Sequence, residues 1–192
     1  MLDTLVRQNC KTCGARLKSN RCNACDAIQY DDAPGDDHIK VRGFFRLHIT
    51  ESDDIVGDSG WQKNLVVNEG FRDYLSRLLG AIASSKQVSY AALGTGGAPA
   101  AGDTTLANEV THNASSRDAV TAATSSNSKG VRFTGTFASA DSHNTATVNI
   151  SNIGLFQQSN TNTGTIFAGA AYASSSWATN QNVNYTYDIT FS

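Results

Sequence analysis

The stretch VNYTYDITF, residues 183–191, decides the fold class that the sequence predicts. Apolar or aromatic residues occupy every second position, and Asn, Thr or Asp fills each position between them. A period of two places alternate side chains on opposite faces of a β-strand. The stretch is therefore predicted to be a strand with one buried face, which carries Val183, Tyr185, Tyr187, Ile189 and Phe191.

The same alternation recurs along the chain. Residues 41–50 place Phe45, Leu47 and Ile49 on one face, and further strands are predicted at 61–67, 88–94, 131–137, 145–151, 153–158 and 165–172. The acidic, Gly-rich segment 51–60 is predicted to be a turn region. Short strands separated by turns of Asn, Ser and Gly predict a mainly β body, an antiparallel β-sandwich or jelly-roll-like fold.

One segment has helical periodicity. Residues from about 69 to 84 are predicted to form an amphipathic helix, with Asn68 as its N-cap. Its apolar stripe, which we expect to face the core, consists of Phe71, Tyr74, Leu75, Leu78, Leu79 and Ile82.

Charge is distributed unevenly over the 192 residues. The net charge is −2 and hydrophobic residues make up 40%, which together argue against a disordered chain and against a strongly nucleic-acid-attracting surface. Residues 87–192 carry only 3 Lys or Arg and 5 Asp or Glu, and consist largely of Ala, Ser, Thr, Asn and Gly. No apolar run is long enough for a membrane span, and no signal peptide is expected at the N-terminus.

Four cysteines are concentrated at the start of the chain. Cys10 and Cys13 form one C-x2-C pair, Cys22 and Cys25 form a second, and eight residues separate the pairs. Two such turns facing each other present four thiolates tetrahedrally, which suits zinc, and the segment resembles short zinc-ribbon modules. Two disulfides or a four-thiolate iron centre are the other interpretations of this spacing.

The predicted ribbon is also basic. Lys11, Arg16, Lys18 and Arg21 are candidate contacts with nucleic acid or with a protein partner, although cations beside a four-thiolate zinc site also offset its negative charge. The predicted organisation is a zinc ribbon at 1–28, an acidic linker at 29–39 and a β-sandwich body at 40–192.

No catalytic constellation is evident in the sequence. The Gly-rich segment ALGTGGAP, residues 92–99, lacks the Lys-Ser/Thr ending of a phosphate-binding loop and is predicted to be a turn between strands. The four histidines are scattered, and the acids after residue 86 are isolated along the chain. We therefore expect a protein that is not an enzyme.

Residues 60–192 resemble structural proteins of tailed bacteriophage virions. The similarity is carried by K-N-L-V at 63–66, N-E-G at 68–70, L-G-T-G at 93–96, Pro99, D-T-T-L at 103–106 and N-I-G-L-F at 152–156. It implies a β-rich virion component, either a capsid decoration (cement) protein or a tail-associated protein. The ribbon in front departs from that pattern.

The resemblance implies partners as well. We expect contacts with the major capsid or tail proteins and with further copies of this chain, in a virion assembled in the bacterial cytoplasm, with neither a membrane nor nucleic acid as the expected partner. Two alternatives remain open at this point. One is a zinc-ribbon protein that binds nucleic acid or regulates; the other is a carbohydrate-binding adhesin in which Trp61, Trp177 and Tyr172 stack on sugars.

Overall fold

The predicted strands are present and pair into an antiparallel sheet. The structure, a computed structural model, describes residues 39–111, 117–124, 129–161 and 163–192. Within these residues the strands are β1 (Val41–Glu51), β2 (Asp54–Asp58), β3 (Gln62–Val66), β4 (Tyr90–Gly94), β5 (Asp118–Ala119), β6 (Thr121–Thr124), β7 (Gly130–Phe137), β8 (Val148–Phe156), β9 (Ile166–Trp177) and β10 (Asn182–Phe191).

The strands follow one path, in the order β5-β4-β8-β9-β3-β1-β10-β7-β6, and β2 pairs with β1 outside it. Two segments join the halves of this path. β3 pairs with β1 through Asn64 and Gly43 and with β9 through Leu65 and Gly169. Segment 118–124 pairs with β4 through β5 and with β7 through β6. The antiparallel sheet is therefore nearly closed into a barrel, and the mainly β prediction is confirmed.

The core lies between the inward faces of these strands, as the period of two predicts. On β1, Phe45, Leu47 and Ile49 are buried, and on β10 Val183, Tyr185, Tyr187 and Ile189 are buried. The two strands run antiparallel with Phe45 opposite Tyr187, whose rings stack with centroids 5.8 Å apart. Paired aromatic rings add stabilisation to the area that they bury.

Several boundaries differ from the prediction. The stretches predicted as separate strands at 145–151 and 153–158 form the single strand β8, which has an irregular register with β9 near Ile150. The predicted turn region 51–60 contains β2, which forms a hairpin with β1. The sequence did not predict strands at 118–124, because four exposed residues of β6 show no apolar alternation.

The helix is present but differs from the predicted one. A π-helical segment, Gly70–Ser76, continues into one α-helical turn, Arg77–Leu79, and Asn68 is not its N-cap. The prediction of a core-facing stripe is wrong for most of its residues. Tyr74 is buried and Leu75 packs against the core, whereas Phe71, Leu78, Leu79 and Ile82 are exposed. Because π-helical bonds join residues five apart, side chains at α-helical spacing do not stay on one face.

Residues Lys40–Ser192 form one compact unit. Its first and last residues are paired, since the Lys40 N–H donates to the Ser192 carbonyl at 2.6 Å and the Ser192 N–H donates to the Lys40 carbonyl at 3.0 Å. The predicted ribbon, and the predicted linker up to residue 38, lie outside the described residues. In the described part of the chain, no helix has the length and apolar character needed to cross a bilayer.

Candidate functional site

The predicted metal and contact residues belong to the part of the chain that the structure does not describe. They are Cys10, Cys13, Cys22 and Cys25, together with Lys11, Arg16, Lys18 and Arg21. Among residues 39–192 that are described, no group of three or more His, Cys, Asp or Glu is placed to hold a metal ion. The zinc ribbon therefore stays a prediction.

The Gly-rich segment after β4 packs against its own chain. The Thr95 N–H donates to the Asn108 carbonyl at 3.0 Å, and the Val110 N–H donates to the Leu93 carbonyl at 2.8 Å. A Cβ atom on Gly96 would lie 2.5 Å from the Ala107 Cβ and 2.6 Å from its carbonyl oxygen. The glycine at 96 thus permits close approach of backbone to backbone, as glycines do in tight crossings.

Asn152 of β8 is hydrogen-bonded to the loop that follows β4, residues 95–109. Its side chain is fully buried, and its Nδ2 donates to the carbonyls of Gly97 and Ala107, each at 3.0 Å. The loop also closes on itself, because the Ala100 N–H donates to Asp103 Oδ2 at 2.8 Å. The residues that directly follow L-G-T-G and D-T-T-L, Gly97 and Ala107, are therefore both hydrogen-bonded to Asn152 of N-I-G-L-F.

A buried ion pair closes the end of the same loop. Arg117 Nε lies 2.7 Å from Glu109 Oε1, Arg117 Nη2 lies 2.9 Å from Glu109 Oε2, and both side chains have 0% exposure. Arg117 Nη1 donates to the carbonyls of Gln158 and Thr163 at 2.9 and 3.0 Å. The guanidinium also lies 3.6 Å from the centre of the Phe156 ring. The Arg117 side chain thus contacts three separate segments, at Glu109, at 156–158 and at Thr163.

Three more charged residues of the low-charge half, Arg132, Asp188 and Asp118, have polar partners within the body. Arg132 on β7 and Asp188 on β10 form a bidentate pair at 2.8 and 2.7 Å. Asp118 Oδ2 accepts from the Tyr185 hydroxyl at 2.9 Å and from the Thr136 N–H at 3.1 Å. Burial raises the pKa of Asp118, and burial together with this carboxylate raises the pKa of Tyr185. Arg132 and Asp188, which are isolated along the sequence, are therefore paired in space, and Asp118 is held by neutral donors.

Sequence reasoning missed Arg117 altogether. Its partner Glu109 lies eight residues earlier in the sequence, and neither residue belongs to a recognisable motif. The signal present in the sequence was the small number of cations in this half. Because residues 87–192 contain only 3 Lys or Arg, each of them is a candidate for a specific ion pair. That signal identifies the residue but not its partner.

The aromatic residues proposed as sugar platforms are placed differently from one another. Trp177 is buried and its indole N–H donates to the Gln181 carbonyl at 2.9 Å. Tyr172 is half-buried against Phe45, with ring centroids 5.8 Å apart. Only Trp61 of the three is exposed, at 49%. Of the three, Trp61 therefore has the most exposed ring for stacking, and carbohydrate binding stays an untested alternative.

A polar network fastens the helical segment to the body. Asp73 is nearly buried, and its carboxylate accepts from Arg72 Nε at 2.8 Å and from Lys86 Nζ at 2.8 Å. These hydrogen bonds hold the pKa of Asp73 well below its usual range. The Tyr74 hydroxyl donates to the Thr165 carbonyl at 2.5 Å, and burial raises its pKa to about 12.

An apolar groove of about 380 Å³ opens beside this helical segment. Leu75 and Leu78 form one wall, Val131 and Phe133 of β7 form another, and Phe191 of β10 lies at the end of its strand. The groove falls within the size range of small-molecule pockets and is lined by apolar side chains, with Lys86 among the few polar ones.

A second exposed apolar group lies on the β1–β2 hairpin. Ile55 is 62% exposed and Val56 is 54% exposed. Glu51, Asp53 and Asp54 flank them, and residues 51–60 contain no Lys or Arg. The apolar residues of this hairpin are therefore flanked in the sequence by acidic residues, of which Asp58 is paired with Arg46 of β1.

The features of the described chain are thus a loop held by Asn152, a buried ion pair, an apolar groove and an acidic hairpin. Hydrogen bonds hold the loop and the helical segment in place, and the groove and the hairpin leave apolar side chains exposed. Comparisons with protein-family models, with curated proteins and with solved structures gave no match.

Proposed function

We propose that this protein is a non-enzymatic structural component of a tailed-phage virion, which assembles on or decorates the capsid or the tail. In this role the N-terminal zinc ribbon docks on a neighbouring virion protein, and the β body makes contacts with further copies or faces solvent. Zinc bound by the four cysteines stabilises the ribbon, which has too few apolar residues to fold unaided.

The observation that carries the proposal is the arrangement around Asn152. The segments that carry the resemblance to virion proteins are joined by close packing and hydrogen bonds: a Cβ on Gly96 would lie 2.5 Å from the Ala107 Cβ, and Asn152 donates to the Ala107 carbonyl. A motif whose residues face each other supports a structural role more than a catalytic one, since catalytic groups converge on a cavity.

The surface of the body supports the same role. On the outward faces of β1, β7 and β10, Thr136, Asn184 and Thr50 form a row of hydrogen-bonded uncharged side chains, with distances of 2.8 and 3.1 Å. This row can pack against a neighbouring subunit without desolvating an ion of its own, and the nearest charges on the same face of β7 and β10, Arg132 and Asp188, are paired with each other. Repeated contacts of this kind are what a virion protein requires.

The sandwich-like or jelly-roll-like arrangement belongs to this proposal too. What supports it is that side chains from both halves of the strand path, such as Phe137 and Ile150, enter one apolar core cluster. Strands that pass from one sheet to another at corners, as β3 does, are typical of packed two-sheet architectures.

Immuno-electron microscopy tests the proposed function. Antibody raised against the purified full-length protein is applied to particles from a lysate of cells that carry the phage gene. Gold label at regular positions on capsids or tails is the expected result, and particles from a deletion phage are the control. Complete virions without label, prepared under conditions that preserve accessory proteins, would contradict the proposal.

A further inference from the structure

Two exposed apolar surfaces lie at opposite ends of β1. The groove is at the Val41 end, because its lining residue Phe191 pairs with Val41 and Ile189 pairs with Gly43. The hairpin tip follows Glu51 at the other end. A strand of 11 residues spans about 33 Å at a rise of about 3.3 Å per residue. The tip of one molecule therefore cannot reach its own groove.

The hairpin tip is preorganised to project from the body. Its two loop residues, Ser52 and Asp53, have φ values of 49° and 71°, and Glu51 pairs with Asp54 across the turn. Two left-handed residues in a two-residue loop match the twist of the strands that they join. Ile55 and Val56 follow directly on β2, so the apolar side chains are presented on a well-defined turn.

The groove is apolar, and the charge of its helical wall is opposite to that of the hairpin. Its walls are apolar, and its volume of about 380 Å³ is that of a pocket for a few side chains or a small molecule. Three cations, Arg72, Arg77 and Lys86, lie on or beside the helical wall, against two anions, Glu69 and Asp73, with which they pair. These five side chains together carry a net charge of +1, opposite to that of the hairpin, and Lys86 among them lines the groove itself.

We infer that the hairpin tip of one copy, residues 51–56, inserts into the groove of a second copy and joins the chains head to tail. Ile55 and Val56 enter the apolar groove, while Asp53 and Asp54 face Arg77 and Lys86 at its rim. Such a heterologous contact generates a ring if the rotation closes and a filament if it does not. The inference rests on the proposed virion role, and it names the partner surface of that role as a second copy.

Sedimentation velocity of the full-length protein over a concentration series tests the contact. Wild-type protein should form species larger than a monomer, and Val56→Asp and Leu78→Asp should each be monomeric. Leu79→Asp is the matched control, since Leu79 is 89% exposed on the same helical segment but does not line the groove. Because Val56 and Leu78 are both half-exposed, the variants should keep the wild-type unfolding midpoint.

Mixing the two monomeric variants separates a head-to-tail contact from a symmetric one. Val56→Asp retains an intact groove and Leu78→Asp retains an intact hairpin, so an equimolar mixture should form a heterodimer and nothing larger. A symmetric groove-to-groove contact would leave Val56→Asp dimeric and would overturn the inference. Association that survives both substitutions, or a wild-type protein that is monomeric throughout, would also overturn it.

The same proteins distinguish this inference from the proposed function. If the wild-type protein is monomeric in solution but gold label shows it on virions, the head-to-tail contact is contradicted and the virion role is supported. Head-to-tail association as described, with no protein on virions, supports the contact and removes the virion role.

Discussion

Arg117 and Glu109 form a bidentate ion pair with both side chains fully buried, at distances of 2.7 and 2.9 Å. The pair lies where the 95–109 loop ends and the 118–124 segment begins. Arg117 also donates to the carbonyls of Gln158 and Thr163 and lies against the ring of Phe156. The guanidinium therefore replaces its lost hydration with protein partners on every side.

Removal of one partner should destabilise the protein strongly. Arg117→Met leaves the Glu109 carboxylate buried without its cation, and such a loss costs about 3–5 kcal/mol. The double variant Arg117→Met with Glu109→Leu should lose less than the sum of the two single changes, because it leaves no buried charge. Urea unfolding of the four proteins measures the coupling, and strictly additive losses would contradict this account.

Asn152 should control the order of the 95–109 loop. Asn152→Ala removes the donors to the Gly97 and Ala107 carbonyls, and a buried acceptor left without its donor costs about 1–3 kcal/mol. Amide hydrogen exchange should accelerate in the loop more than in β1 or β10. Asn149→Ala, at an exposed position of the same strand, is the control and should leave both exchange and stability unchanged.

Stability should fall in acid through Asp73. Its pKa is lower in the folded protein than its ordinary value of about 3.9, because Arg72 and Lys86 donate hydrogen bonds to the carboxylate. An acid of this kind stabilises the fold above its ordinary pKa, and that contribution disappears as the pH falls towards the folded value.

Thermal unfolding between about pH 5 and pH 2 tests the role of Asp73. Asp73→Asn should be less stable than wild type at pH 5, and the difference should shrink at low pH. Asn149→Ala, at an exposed position of β8 and without change to any titratable group, should follow the wild-type curve. A difference between Asp73→Asn and wild type that stays constant over the whole range would contradict the assignment.

The two apolar sides of the helical segment should respond differently to truncation. Tyr74 is buried and packs on Phe167 with ring centroids 5.2 Å apart, so Tyr74→Ala should cost about 3–5 kcal/mol. Leu79→Ala should change the free energy of unfolding by less than about 0.5 kcal/mol, because the side chain is 89% exposed. Equal losses from both substitutions would indicate that Leu79 faces the core.

The four cysteines should bind one zinc ion per chain in protein purified under reducing conditions. Cys10→Ser should abolish stoichiometric zinc, since a structural zinc site needs all four ligands. In the Cys10→Ser variant the near-ultraviolet signal of the body, which contains Trp177, should be the same as in the wild-type protein. Elemental analysis measures the metal, and the absence of zinc from the unmutated protein would disprove the predicted site.

Alternation in the sequence predicted the strands and their buried faces because both depend on neighbouring residues. The faces predicted for 41–50 and 183–191 are the buried faces of β1 and β10, with Phe45 and Tyr187 at 0% exposure. Helical spacing likewise located a helix after residue 68. It did not determine which side chains are buried, because the π-helical turn shifts them relative to an α-helix.

The sequence by itself determined the mainly β class, the uneven distribution of charge and the spacing of the four cysteines, all of which are properties of nearby residues. Only the tertiary structure decided that Asp188 pairs with Arg132, 56 residues away, and that segment 118–124 joins β4 to β7. The physical reason is that such contacts depend on which strands become neighbours when the sheet closes. Only this closure separates the acidic hairpin and the apolar groove by the length of β1.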